Sequence, residues 1–413
     1  MRAKTMLKLK SVFLLLIVGF LAQGAFSAEE DFLGRWAITL DDPGTTFQAC
    51  WLEVSRDGGQ LSGNLLWRWG SVNPAKSVQI SGDEIQVTMT ESSNNKTYDV
   101  IYKASLQYGR LIGTVERPRQ ELACFWGRPA LEAATDVSGT WEVAIQHGDQ
   151  KRVHELTLMQ KGETILGLMS LHGVVAQVKT ANLEGNRLSL AFDPLRVEGH
   201  GQEMKLNLEI RGDLAEGKAQ IGDTPELTAT AQRQRVWGAP VNLFNGKDLN
   251  NWVPRDLAVT PKWDVQDGLM VNSPPDIDLR TREEFSDFKL HVEFKMEPGS
   301  NSGIYLRGRY EVQLLEDYGK GTESHGNGAV YSRIAPAKNA SKPAGEWQTY
   351  DMTLIGRWLT VVLNGETIID NQHLDGITGG ALDSFEWMPG PLMFQGDHGR
   401  VWFRKVVVTP ALD

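Results

Sequence analysis

The stretch Phe288-Lys-Leu-His-Val-Glu-Phe-Lys-Met296 alternates apolar and polar residues without a break. Leu290, Val292, Phe294 and Met296 share one parity; His291, Glu293 and Lys295 share the other. That is the period of a strand with one face in a core and one in water. Working outward, Thr349–Gly356, Trp358–Gly365 and Glu366–Asp370 repeat the pattern, and Asn364-Gly365 is a strong hairpin turn signal. Pro391–Pro410 adds two closing strands around Gly396-Asp397-His398-Gly399. Helical periodicity is nearly absent. Many strands within about 175 residues predict an all-β, two-sheet sandwich.

Upstream, the strands are shorter and the chain repeats itself. Gly34-Arg-Trp36 is echoed by Gly139-Thr-Trp141, 105 residues on, and Gly63, Gly82 and Gly109 find counterparts in Gly167, Gly185 and Gly212. Four anchors in order predict a duplicated unit. Ser77–Thr90 and Leu206–Ile221 alternate around Gly-Asp turns, as strands of an antiparallel meander do. Each meander must close or pair to hide its edges, as two small barrels or one barrel-like pair. No catalytic constellation is visible here: His147, His154, His172 and His200 share no ligand spacing. The expected organisation is a leader at 1–27, meanders at 28–132 and 133–236, and the sandwich at 237–413.

The first residues read as a targeting signal. Arg2, Lys4, Lys8 and Lys10 precede an apolar run, Val12–Leu21, and Ala25-Phe26-Ser27 offers small residues at a cleavage site. The run is too short to span a membrane after processing. An exported chain, periplasmic or extracellular, is the expectation. With 42 basic and 52 acidic residues the net charge is −10, and losing the four basic leader residues makes the mature chain more acidic still. Such a chain repels phosphate backbones, so nucleic acid is excluded as a partner. Cys50 and Cys124 are the only cysteines, and an oxidising compartment predicts a disulfide between them.

Five blocks then resemble a known family in the right order: Asn242–Trp252 (NLFNGKDLNNW), Trp263–Met270 (WDVQDGLM), Pro298–Gly319 (PGSNSGIYLRGRYEVQLLEDYG), Gly328–Leu354, and Gly390–Val408. From about Val241 to Thr409 the chain is similar to the 3-keto-disaccharide hydrolase-type domain. The resemblance implies a concanavalin-like jelly roll that cleaves glycosides whose sugar carries a 3-ketone. It says nothing of the upstream repeats. The ketone acidifies the C2 hydrogen; a base removes it, and the C1 leaving group departs by elimination, with or without rehydration. Such a site needs a base, a cationic or hydrogen-bonding group at the enolate oxygen, and an acid for the leaving oxygen.

Candidates for each are present. Tyr305, Arg307, Glu311 and Gln313 share parity and are expected on one face, with Val312 and Leu314 in the core. Glu311 is a candidate base or metal ligand, and Arg307 a candidate for the enolate oxygen or a sugar hydroxyl; an Arg–Glu surface pair is the plain alternative. His398, with Asp397 to orient it or share a metal, and Lys342 complete the catalytic candidates, although each sits where solvated loop residues are common. Glu293, Asn301, Ser302 and Gln395 are candidates for hydroxyl binding. Tyr331, Trp347 and Trp387 are sugar platforms or core. His325 is a lid residue. The sequence assigns no cofactor with certainty, and a divalent metal is left open.

Two rival functions fit the same fold. Glu311-x-Gln313-x-x-Glu316 has the spacing of a two-carboxylate glycanase motif with Gln in place of its middle Asp, but Glu311 and Glu316 differ in parity. A non-catalytic carbohydrate-binding module is the other, since jelly rolls host both activities.

Overall fold

The computed structural model describes residues 29–41, 49–67, 70–93, 96–118, 123–130, 135–171, 174–197 and 200–412. The leader-like residues 1–27 lie outside them. Apart from a single 3-10 turn at Glu29–Phe32, the described elements are β-strands, as the alternation predicts.

The second meander is a closed barrel. Eight antiparallel strands run from Gly139–His147 to Leu227–Arg233, and the last pairs with the first, Trp141 opposite Arg233. Trp141, Leu156, Phe192, Met204 and Leu206 fill its interior. The first meander forms one nine-stranded sheet, and its last strand, Ala123–Pro129, likewise returns to its first, Gly34–Asp41. Its two edge strands, Asn73–Pro74 and Ser77–Ser81, are adjacent in sequence. The residues between them bond to both flanks: Ala75 N donates to Gly63 O and Lys76 N to Thr88 O, each at 2.8 Å. The repeat signature has a physical counterpart. Trp36 Nε1 donates to Phe32 O, and Trp141 Nε1 to Val137 O, both at 2.9 Å and both four residues back.

The expected disulfide is absent: Cys50 and Cys124 are not joined. Cys50 lies in the strand Ala49–Asp57 and Cys124 in Ala123–Pro129, and the strand Gly34–Asp41 runs between them. Two strand spacings are about 9.5 Å, beyond the roughly 7 Å that a disulfide bridges between Cα atoms.

By packing, the described chain divides into two compact units. The smaller holds most of the first meander. The larger holds the barrel, the C-terminal sandwich, and two strips from upstream, of which 49–51, Leu66, Trp67 and Gly70–Val72 are described.

The sandwich has the expected two sheets. One has eight strands, including Phe288–Met296, Gln348–Ile355, Trp358–Leu363, Glu366–His373 and Val401–Pro410. The other has five, in the order Trp252–Pro254, Leu279–Phe285, Gly390–Phe394, Asn301–Leu306, Tyr310–Leu315. Leu290, Val292, Phe294 and Met296 enter the core between them with Ile304, Val312, Phe394 and Phe403. Each fully buried aromatic here stabilises the fold by about 1.5–3 kcal/mol. Asn364 and Gly365 both adopt positive φ and make the hairpin turn their sequence predicts.

Candidate active site

Register fixes which side chains share the outward face of the five-stranded sheet. Arg280 pairs with Met393, Met393 with Tyr305, and Tyr305 with Glu311. One step along, Gly303 pairs with Gln313, and Gln395 N donates to Gly303 O at 2.9 Å. The alternate residues Ile304, Leu306, Val312 and Leu314 are core. The face therefore carries two polar rows across a strand wall, as the period of two requires.

Glu311 is the centre of this face. It is 3% exposed, and burial lifts its carboxyl to about 8, with Asp278 and Asp397 raising it further and the Tyr305 hydrogen bond opposing. Room for it exists because residue 303 is glycine: a Cβ there would stand 2.2 Å from Glu311 Oε1. Tyr305 Oη lies 3.0 Å from Glu311 Oε2 and 2.9 Å from Gly379 O. Glu311 N donates to Thr378 Oγ1 at 2.9 Å. The Gln313 amide has two orientations. With its nitrogen toward Asn301 Oδ1 (3.2 Å), its oxygen faces only acceptors. Reversed, the nitrogen donates to Glu311 Oε1 at 3.2 Å and to Ser302 O at 3.0 Å, and this orientation satisfies more groups.

Two acidic groups, one of them paired with an arginine, lie about the carboxyl. Asp278 is buried, accepts from Gly396 N at 3.1 Å and pairs with Arg255 at 3.2 Å. Its own carboxyl is raised by burial, against the pull of Arg255. Arg255 also donates to Gly380 O and Ala381 O, tying down the loop that carries Gly379. Gln395 Oε1 is buried without a hydrogen-bond donor, an acceptor left for a hydroxyl. Asp397 and His398 lie exposed beyond it and bond to each other, Oδ1 to Nδ1. On the far side Tyr331 N donates to Glu311 O at 3.0 Å, and the Tyr331 ring meets His325 edge-on at 4.8 Å.

Glu311, Gln313, Asn301, Gln395, Asp397, His398 and Tyr331 are thus brought to one region, and Tyr305 with them. Five expected residues are not. Arg307 sits past the strand end in a turn at φ +52°, so strand parity does not reach it; it is buried, and donates to Ser286 O at 2.6 Å and Asp287 Oδ1 at 2.8 Å. Lys342 is exposed and donates to Trp347 O. Trp347 lies under Lys295 and Arg404, and Glu293 pairs with Arg404 and Lys405. These three belong to the solvent side of the eight-stranded sheet, whose other side is core. Trp387 packs on Phe385 at 5.5 Å. Glu316 turns away from Glu311 and accepts from Gly299 N, so the two-carboxylate pairing fails on parity.

Sequence reading missed Arg280, Asp278 and Arg255. The signal was available in Asp278-Leu-Arg280, where alternation puts both charges on the face opposite Leu279. Among the described residues no three His, Cys, Asp or Glu side chains are grouped as a metal ion would need, so the metal left open above gains no ligand set here.

Residues 239–409 match the family model described as the 3-keto-alpha-glucoside-1,2-lyase-like domain. The match spans the sandwich. Every residue assigned to the face above lies within the matched residues, and Glu311, Gln313, Asn301, Gln395, Asp397, His398 and Tyr331 lie in the blocks that carry the resemblance. A 3-keto-disaccharide hydrolase of Bacteroides thetaiotaomicron is 23% identical over 226 residues, spanning 41% of this chain and 77% of that protein. Two crystal structures of provisionally named glycosyl hydrolases from Parabacteroides distasonis are similar over part of the chain. One is 27% identical, covering 41% of this chain and 82% of that one, with a TM-score of 0.37. The other is 23% identical, covering 42% and 94%, with a TM-score of 0.35.

Proposed function

We propose that the Glu311 face cleaves the glycosidic bond of 3-keto-glycosides by removing the C2 proton. The observation that carries this is a buried carboxyl, raised to about 8, on a wall that a glycine opens beside it. A carboxylate of that basicity is a better match to a hydrogen beside a ketone than an ordinary one, while about a tenth of it is still ionised at pH 7. The electron pair of the C2–H bond forms the enolate. Its collapse expels the C1 oxygen, which takes up a proton, and leaves a C1–C2 double bond conjugated with the ketone. Water adding at C1, with a proton at C2, makes the net reaction a hydrolysis.

Arg280 is the cation on the same row and takes the place given to Arg307 at the enolate oxygen. His398, oriented by Asp397, is the acid for the leaving oxygen. Gln395, Asn301 and Gln313 are hydroxyl partners. The family match to residues 239–409 supports the substrate class. Export, read from residues 1–27, belongs to the same proposal, and N-terminal sequencing of protein recovered outside the cytoplasm tests it.

The experiment is turnover of a 3-keto-glucoside by the purified full chain. Release of the aglycone from the 3-keto sugar, and not from the parent glucoside, is expected. Binding without turnover would leave a carbohydrate-binding module; equal turnover of both sugars would point to ordinary hydrolysis.

A further inference from the structure

Residues far upstream of the lyase-like domain pack into the same compact unit as its active face. They lie outside the matched residues 239–409. Ser71 Oγ stands 2.8 Å from His325 Nε2, across 254 residues of sequence. Ser324 Oγ faces the other ring nitrogen at 3.4 Å, so the imidazole is held from both sides. The Tyr331 ring lies edge-on to His325 at 4.8 Å. The neighbouring Val72 N donates to Ser332 Oγ at 3.0 Å.

The same strips buttress the loop above Glu311. Trp51 and Leu66 bury themselves with Ile377 and Ala381, and Arg333 stacks on Trp51 at 4.7 Å while donating to Ile377 O. A Cβ on Gly379 would stand 2.3 Å from Gly70 O. Gly379 O accepts from Tyr305, and Thr378 Oγ1 from Glu311 N. One strip therefore touches both the loop ending the Glu311–Tyr305 chain and the His325–Tyr331 wall beside it.

We infer that Leu66 and Gly70–Val72 complete the active site and that Ser71 is a positioning residue, acting through His325 and Tyr331 on the wall that receives the sugar. This deepens the proposed function and rests on it. A side chain that only fills space contributes through its methylene; Ser71 contributes through its hydroxyl, because a lost hydrogen bond frees the imidazole to turn.

The test uses the full chain carrying Ser71→Ala, Ser71→Thr or Glu311→Gln. Histidine ring signals are followed by heteronuclear NMR, with His325 identified by its disappearance in His325→Gln. Ser71→Ala is expected to move the His325 ring chemical shifts and raise KM for a 3-keto-glucoside roughly 3- to 10-fold, with kcat changed much less. Ser71→Thr, which keeps the hydroxyl, is expected to restore both. Glu311→Gln is expected to abolish kcat and leave the His325 signals in place. Unchanged His325 ring shifts in Ser71→Ala, or no rescue by Ser71→Thr, would overturn the inference. A wild-type chain inert to 3-keto-glucosides would instead sink the proposed function, and the ring shifts would still decide the placement of Ser71.

Discussion

Tyr305 Oη stands within hydrogen-bond distance of both Glu311 Oε2 and Gly379 O, at 3.0 and 2.9 Å, with one proton to give. Only a protonated Glu311 satisfies all three groups at once. The carboxyl then donates to Tyr305, Tyr305 donates to Gly379 O, and Gln313 donates to the other carboxyl oxygen. Ionising Glu311 pulls the Tyr305 proton toward it and strips Gly379 O of its donor. The Gly379 bond lost on ionisation adds to burial in holding the proton, against the Tyr305 hydrogen bond that favours the ionised form.

The pH dependence follows. As a base, Glu311 must be ionised, so kcat/KM is expected to rise with pH and level off above about 8. A profile that falls through that pH would assign Glu311 the role of acid to the leaving oxygen.

Stability should move in the opposite sense. The folded chain keeps the Glu311 proton between the ordinary 4.5 and about 8, where the unfolded chain has lost it. The contribution is largest below 4.5, declines through that window, and is gone above it. Glu311→Gln, a mimic of the protonated form, is therefore expected to melt higher than wild type at pH 8 to 9 while losing turnover by ~10²-fold or more. Calorimetry at pH 5 and pH 9 beside the assay checks this. A lower melting temperature at pH 9 would mean the carboxylate is structural.

Gly303→Ala should separate site from fold. The added methyl group meets Glu311 Oε1 at 2.2 Å, so the carboxyl must move. Turnover is expected to fall ~10²-fold for about 1–3 kcal/mol of stability, read by kinetics and chemical denaturation.

The two arginines should exchange the roles that sequence parity gave them. Arg307→Ala removes bonds to Ser286 and Asp287 and is expected to cost about 2–4 kcal/mol of stability. Arg280→Ala is expected to leave the fold intact and lower kcat ~10²-fold. If Arg307→Ala alone impaired turnover at full stability, the register reading would be wrong.

Lys342 and the cysteines give expected null results. Lys342→Ala should stay within about twofold of wild-type turnover and about 0.5 kcal/mol of its stability. Denatured, unreduced protein treated with an alkylating agent should carry label on both Cys50 and Cys124, and peptide mass spectrometry should find no linked pair.

The sequence by itself determined the strands, because a period of two is a local property. Phe288–Met296 had to place Leu290, Val292, Phe294 and Met296 in the core, whatever lay opposite, and Asn364-Gly365 had to turn. It determined Glu311 and Gln313 as one face for the same reason. Parity ends where a strand ends, and this is why Arg307, two residues past Tyr305 but at φ +52°, left the face. Which face belongs to which sheet is not local. Lys342, Trp347 and Glu293 carry the right chemistry but sit on the wall turned away from Glu311. Pairing between strands distant in sequence decided that, as it brought Arg280 into register with Tyr305 through Met393. The contact of Ser71 with His325, 254 residues apart, has no sequence period to announce it; it exists only because burial of Trp51 and Leu66 against Ile377 and Ala381 carries that strip to the site.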